Sequence, residues 1–221
     1  MTVRAIELNW DNQKLPIRDR LRMDSPKQGR EVMKKNLEQP RAVFSIGHST
    51  RDLAEFISLL QAHGVTKLAD VRTVPRSRHN PQFNRETLPE ALKTVGIGYV
   101  HLPGLGGLRH ARPDSPNMAW RNASFRGFAE YMQTDEFAEN LARLIELARH
   151  DHLALMCAEA VPWRCHRSLI ADALIVRGIP VEHITSRTHR YPHTLTPWAR
   201  VDGTRITYPV EMLPATSASQ Q

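Results

Sequence analysis

Residues Ala42–Arg72 read AVFSIGHSTRDLAEFISLLQAHGVTKLADVR, and this stretch decides the fold. AVFSIG is an apolar run of strand length. Leu53, Phe56, Ile57 and Leu60 then recur at i, i+3, i+4 and i+7, the spacing that lines one face of a helix. Ser49, with Asp52 three residues on, reads as the start of that helix, because the pair resembles a capping box. Gly64 stands where a helix ends in the left-handed region. KLADVR (Lys67–Arg72) is the next apolar run.

The same strand, helix and glycine theme continues outward. Leu88, Ala91, Leu92 and Val95 form a second helical stripe closed by Gly96, and GYVHL (Gly98–Leu102) follows as a strand. PGLGG (Pro103–Gly107) opens a Gly/Pro-rich excursion to about Pro116, which reads as a loop. Two helical segments come next. The second starts near Thr134, with Asp135 and Glu136 complementing the helix dipole, and carries Phe137, Leu141, Leu144, Ile145 and Ala148 on one face. HLALMC (His152–Cys157), a helix over about 166–177 ending at Gly178, and VEHI (Val181–Ile184) complete the series. Strands alternating with crossover helices imply an α/β fold: one domain with a mostly parallel sheet, three-layered and Rossmann-like. The 185–213 segment, with a short strand at RITYP, is expected to wrap the domain edge.

Composition sets the outer limits. Of 221 residues, 41% are hydrophobic and 24% charged, which excludes collagen-like and wholly disordered classes. No run approaches the ~20 apolar residues that span a bilayer. The N-terminus carries no apolar signal core, and two cysteines are too few for a disulfide scaffold. The expected location is therefore the cytoplasm, away from membranes. The net charge of +7 divides unevenly. Residues 1–41 hold ten Lys/Arg against six Asp/Glu, and the rest hold twenty against seventeen. Residues 1–41 read as a basic, flexible leader, and 214–221 as a polar tail. A nucleic-acid partner, if any, is expected to meet the leader rather than the domain.

In open parallel sheets, ligands bind beyond the carboxyl ends of the strands. Here those ends carry Gly47-His48-Ser49, Asp70-Val71-Arg72, His101, and Cys157-Ala158-Glu159. Arg72, Arg76, Arg78 and Arg85 punctuate a Pro-stiffened loop, an arrangement suited to holding phosphate or carboxylate. Arg72, at the strand end, is the first candidate, and Asp70 is either part of the site or its ion-pair partner. MCAEAVPWRCHRS is the most distinctive segment. Cys165 lies between Arg164 and the helix opened by His166-Arg167, where a thiol pKa falls. Cys165 is thus a candidate nucleophile. Cys157 is either a second reactive thiol or core packing. Cys157, Cys165 and His166 can also be read as metal or haem ligands, although C-x7-C-H is not a usual zinc spacing. The Cys157-to-Arg164 spacing of C-x6-R excludes a C-x5-R phosphatase loop. His48 and Glu159 are the proton-handling candidates. Phe125, Phe128 and Tyr131 read as core, whereas Trp120 and Trp163 are candidates for stacking on a ligand.

FSIGHSTRDLAEFISLL, ADVRTVPRSRHNPQFN, YVHLPGLGG and CAEAVPWRCHRSLIADAL together resemble the DUF488 family of small bacterial and archaeal proteins. The resemblance runs over about Val43–Ile184, and HTLTPWARVDGTRITYP is similar to an extension that some members carry. It implies a compact α/β domain and supplies no reaction. Family motif positions fall on Gly47, His48, Ser49, Asp70 and Arg72. They continue through Pro75, Ser77, Pro81 and Phe83 to Cys157, Glu159, Cys165, His166 and Arg167. The expectation is an enzyme or ligand-binding domain for an anionic, phosphate-bearing, nucleotide-like ligand. Ser49, Asp70, Arg72, Arg76, His166 and Arg167 would bind it, while His48, Glu159, Cys157 and Cys165 carry the chemistry. No metal is assigned and no cofactor is specified. A non-catalytic nucleic-acid-associated protein and a metal or haem protein are the alternatives.

Overall fold

Runs such as VFSIG and LALMC are apolar without alternation because both of their faces are covered, as in a parallel sheet held between helices. The computed structural model describes residues 41–210, and there every residue of VFSIG is buried. Strands β1 (Val43–Gly47), β2 (Lys67–Asp70), β3 (Gly98–His101), β4 (Leu153–Cys157) and β5 (Val181–Ile184) run parallel. β6 (Arg190–Pro192) pairs antiparallel with β5 and completes a sheet of order β3-β2-β4-β1-β5-β6. Helices α1 (Leu53–Ala62) and α2 (Leu88–Lys93) pack on Phe44, Ile46, Leu68, Ala154 and Met156 on one face. On the other, α3 (Ala123–Tyr131), α4 (Asp135–His150) and α5 (Arg167–Ile175) pack on Val43, Ala69, Leu153, Leu155 and Val181. The expected layered α/β architecture is present. Its strand order places β4 between β2 and β1, where the dinucleotide-binding order has β1 and β2 adjacent.

That insertion positions the site. From β1 the chain crosses by α1 toward β2, and from β4 it crosses by α5 toward β5. β1 and β4 are neighbours, with Gly47 beside Cys157. Their outgoing connections therefore part in opposite directions and leave a crevice at their carboxyl ends.

The helix ends follow local chemistry, with one change from expectation. Asp52, not Ser49, caps α1, its Oδ1 accepting from the Glu55 N–H at 2.6 Å. Ser49 instead takes a left-handed conformation (φ 50°) one turn earlier, where the chain swings out of the sheet. Thr134 caps α4 and Asn122 caps α3, each by accepting a first-turn N–H. Phe125, Phe128 and Tyr131 are core, as expected.

The C-terminal segment adds more order than RITYP alone announced. β7 (Arg200–Asp202) and β8 (Arg205–Thr207) form a hairpin. Beside the bonds of Gln133 to Ile206 and of Asn117 to Tyr208, one carboxylate gathers three residues of the segment. Asp172 on α5 is fully buried and accepts from Thr196 N (3.0 Å), Thr196 Oγ1 (2.7 Å), Tyr208 Oη (2.9 Å) and His193 Nε2 (2.9 Å). His193 Nδ1 in turn meets His183 Nε2 on β5 at 3.0 Å. The basic leader over 1–41 and the polar tail over 214–221 fall outside the described residues, Arg41 excepted. Among the described residues, no helix is long and apolar enough to cross a membrane. Removing a buried group with four partners leaves orphaned donors behind. Asp172→Ala is therefore expected to cost about 3 kcal/mol or more in urea unfolding. Asp202→Ala, in the exposed hairpin, is expected to change stability by less than about 0.5 kcal/mol.

Candidate functional site

Two polar networks meet at the crevice. The first forms its floor beside β2. Arg72, 6% exposed, grips the fully buried Asp70 with Nε on Oδ1 (2.9 Å) and Nη2 on Oδ2 (2.6 Å). Nη2 also donates to the Phe83 carbonyl (2.7 Å), and Nη1 lies 3.2 Å from His48 Nε2. A guanidinium can only donate, so His48 Nε2 accepts and its Nδ1–H donates to the Ser49 carbonyl at 2.9 Å. The imidazole stacks on Phe83 with centroids 4.3 Å apart. Burial pushes the His48 pKa down to about 4, and the Arg72 charge adds to that. Tyr99 Oη donates to Asp70 Oδ2 at 2.8 Å, and His101 Nε2 donates to the Arg72 carbonyl at 2.8 Å.

The second network joins β1, β4 and α5. Arg167 is fully buried, with Nη1 on Ser45 Oγ (2.8 Å), Nη2 on the Glu159 carbonyl and Nε on Cys165 Sγ (3.4 Å). His166 Nε2 donates to the Val71 carbonyl at 3.1 Å, which leaves Nδ1 as the acceptor of the neutral ring, 3.7 Å from Cys165 Sγ. The sulfurs of Cys157 and Cys165 and a ring nitrogen of His166 all lie within 4.8 Å of one another. Hydrogen bonding from Cys157, with His166 and Arg167 behind it, holds the Cys165 thiol well below the ordinary range, against its burial. The same hydrogen bond, together with burial, pushes Cys157 up. One sulfur is thus the preferred seat of negative charge, and the other is its donor.

Two glycines permit this closeness. A Cβ on Gly47 would lie 1.9 Å from the Glu159 carbonyl oxygen, so only glycine lets β1 pass under the loop that Arg167 holds. A Cβ on Gly107 would lie 2.4 Å from His166 Nδ1. The PGLGG turn therefore serves as a bare backbone edge laid over the imidazole.

Around these groups lies a cleft of about 390 Å³. Its lining includes Arg72, Cys157, Glu159, Arg164, Cys165 and His166, together with Asn122 and Ser124 from the start of α3. A second hollow of about 410 Å³ shares Arg72, Val74, Ala158 and Glu159 with it and adds His48, Ser49 and Arg76. Arg76, Arg164 and Glu159 are exposed at the rim.

Most of the expected residues therefore converge, with altered roles. His48 is buried with both ring nitrogens engaged, so it holds Arg72 in place and is not a free acid or base. Asp70 is the ion-pair partner of Arg72 and not a ligand contact, being fully enclosed. Arg167 is fully buried beneath the cleft, with three of its five N–H bonds directed at Ser45, Glu159 and Cys165, so it positions Cys165 from below. Trp163 lies with Trp120 in a separate hollow, so neither stacks on a ligand in the cleft. Arg164 reaches the rim from the turn Pro162–Arg164, a placement that nothing in its neighbouring sequence announces. Asn122 and Ser124, more than thirty residues upstream of Cys157, gave no local signal.

A family model described as "Domain of unknown function DUF488" matches residues 52–174, more than half of the chain. No curated protein and no solved structure matches. The matched residues include the Cys157–Arg167 segment, while His48 and Ser49 lie just before them.

His48, and His183 with its pKa pushed down to about 3 by burial, both stay neutral in the fold where the unfolded chain takes up protons. Stability is then full above their ordinary 6.5 and falls as the pH drops from 6.5 toward 4. Urea midpoints at pH 7 and pH 4.5 measure this. His48→Gln is expected to flatten that fall by roughly one proton of slope, and an unchanged slope contradicts the assignment.

Proposed function

The chain belongs to the DUF488 family, whose description supplies no reaction, and we propose that it is an enzyme acting on a small anionic, phosphate-bearing substrate through the Cys165 thiolate. The observation that carries this reading is the contact of the buried Arg167 guanidinium with Cys165 Sγ, beside a histidine whose Nδ1 faces the same sulfur. A thiolate is the nucleophilic form of cysteine, and a cation with an adjacent imidazole keeps it in that form at neutral pH. His166 Nδ1 takes the thiol proton, Cys165 attacks the electrophilic centre, and the proton passes to the departing group. Glu159 at the rim supports release by accepting a proton from attacking water.

The anion preference follows from where charge is free. Four of the five N–H bonds of Arg72 are taken up within the protein, so the buried arginines supply field more than contact. Arg164 and Arg76, exposed at the rims of the two joined hollows, are the groups that can close on a phosphate. A volume of about 390 Å³ suits a small ligand and not a nucleic-acid surface. Both thiols are free, which suits a reducing compartment such as the cytoplasm. Binding of nucleic acid through residues 1–41 is a separate matter that the cleft does not require.

Site-resolved alkylation by iodoacetamide, read by mass spectrometry, tests the reading. Cys165 is expected to react at a rate that stays near its plateau at pH 7. Inorganic phosphate is expected to protect it, and Arg164→Ala to weaken that protection about tenfold. Slow alkylation that rises only near the ordinary thiol pKa of about 8.5 overturns the thiolate. Phosphate without effect overturns the anion site.

A further inference from the structure

We infer that Cys157 Sγ, Cys165 Sγ and His166 Nδ1 form a three-ligand site for a soft divalent cation of the zinc class, with its fourth position opening into the cleft. The inference stands on the placement of these three donors and goes beyond both the Cys165 nucleophile and the anionic substrate.

The donor chemistry comes first. Two sulfurs and one imidazole nitrogen are the ligands that zinc takes, at about 2.3 Å to sulfur and 2.0 Å to nitrogen. In a tetrahedron those lengths separate the donor atoms by about 3.5–3.8 Å. Cys165 Sγ and His166 Nδ1 are already 3.7 Å apart, and all three donors lie within 4.8 Å. Closing the remainder needs only small rotations of side chains. Consecutive residues rarely face one centre. Here Cys165 is extended (φ −129°, ψ 142°) and His166 is helical (φ −56°, ψ −13°), and the turn between them brings both side chains to one side.

The surroundings match those of a ligand histidine. Metal-bound imidazoles usually donate their other N–H to a carbonyl or carboxylate, which selects the tautomer and aims the ring. His166 does this with the Val71 carbonyl, so the nitrogen left unprotonated is the one facing the sulfurs. Gly107 fixes the ring from above: a Cβ there would lie within 3.0 Å of His166 Nδ1, Cγ and Cε1, so only glycine lets the turn close on the face of the imidazole. All three ligands line the same cleft, which offers the open position that distinguishes a reactive metal site from a closed structural one.

Charge accounts for what would occupy that position. Two thiolates beside the buried Arg167 guanidinium leave one excess negative charge, and a divalent ion turns it into one excess positive charge. An anion from the cleft neutralises the site as fourth ligand. Loading would also engage one Cys165 lone pair, so the metal-bound thiolate would be a weaker nucleophile than the free one.

The test uses the full chain, stripped of metal and reduced. Zn²⁺ titrated against a chromophoric chelator is expected to bind one ion per chain with a Kd below about 1 μM. Co²⁺ in its place is expected to give the near-ultraviolet thiolate-to-metal charge-transfer band. Cys157→Ser should weaken Zn²⁺ at least about tenfold. Zn²⁺ should slow iodoacetamide at Cys165 at least about tenfold, reversed by chelator. Absence of one-to-one binding, or of the thiolate band in the wild-type chain, overturns the inference, whatever the fate of the variant. If metal fails to bind while Cys165 still alkylates rapidly at pH 7, the metal site falls and the thiolate enzyme stands. If Zn²⁺ binds with the expected band while metal-free Cys165 behaves as an ordinary thiol, the metal site stands and the nucleophile falls.

Discussion

One buried guanidinium organises the centre of this protein. Arg167 reaches Ser45 on β1, the Glu159 carbonyl in the loop after β4, and Cys165 at the start of α5. A charge enclosed to this degree carries a desolvation cost of several kcal/mol, and its donors need partners. Three of its five N–H bonds are matched by three separate segments, so the relative positions of those segments are set by one side chain. The close pass of Gly47 under Glu159 is part of the same arrangement, since a bulkier residue would push away the carbonyl that Arg167 needs. The softest acceptor in the set is sulfur, and the charge that remains unanswered by oxygen falls on Cys165.

A second buried arginine works differently. Arg72 is paired with Asp70 in a bidentate grip and buttressed by Phe83, His48 and Tyr99. The pair is nearly neutral and stiff. It forms a floor from which the loop after β2 departs, and removing Arg72 would strand a buried carboxylate, a change that harms folding before it reports on binding. The two arginines therefore divide the work that the sequence assigned to them jointly. One shapes the crevice and the other contacts a thiol, while Arg164 and Arg76 are exposed at the rim.

Much of this was legible in the chain. Period-3.6 stripes ended by Gly64 and Gly96, and a segment closed by Gly178, marked three helices, and the apolar runs between them marked a parallel sheet. The strand-end rule then pointed to His48, Arg72, Cys157 and Glu159 as neighbours. Illegible was the strand order, because pairing is a property of tertiary packing and nothing in β2 or β4 marks which of them lies beside β1. Burial was also hidden. Arginine and aspartate read as surface residues, and nothing local announces that Arg167 and Asp70 are enclosed. The direction of the His166 ring depends on the Val71 carbonyl, 95 positions away, and its approach depends on Gly107. β6 leaves no mark in the sequence, because three residues ending in proline give no period to read.

The central claim is that the two cysteines share one negative charge unequally, with Cys165 ionised first. Titration of the ultraviolet thiolate absorbance of the reduced, metal-free chain addresses it directly, since the sequence holds only these two thiols. The account predicts two separated ionisations, the first well below the ordinary thiol pKa of about 8.5 and lost in Cys165→Ser, the second above it. A single step of two thiols near 8.5 would contradict it.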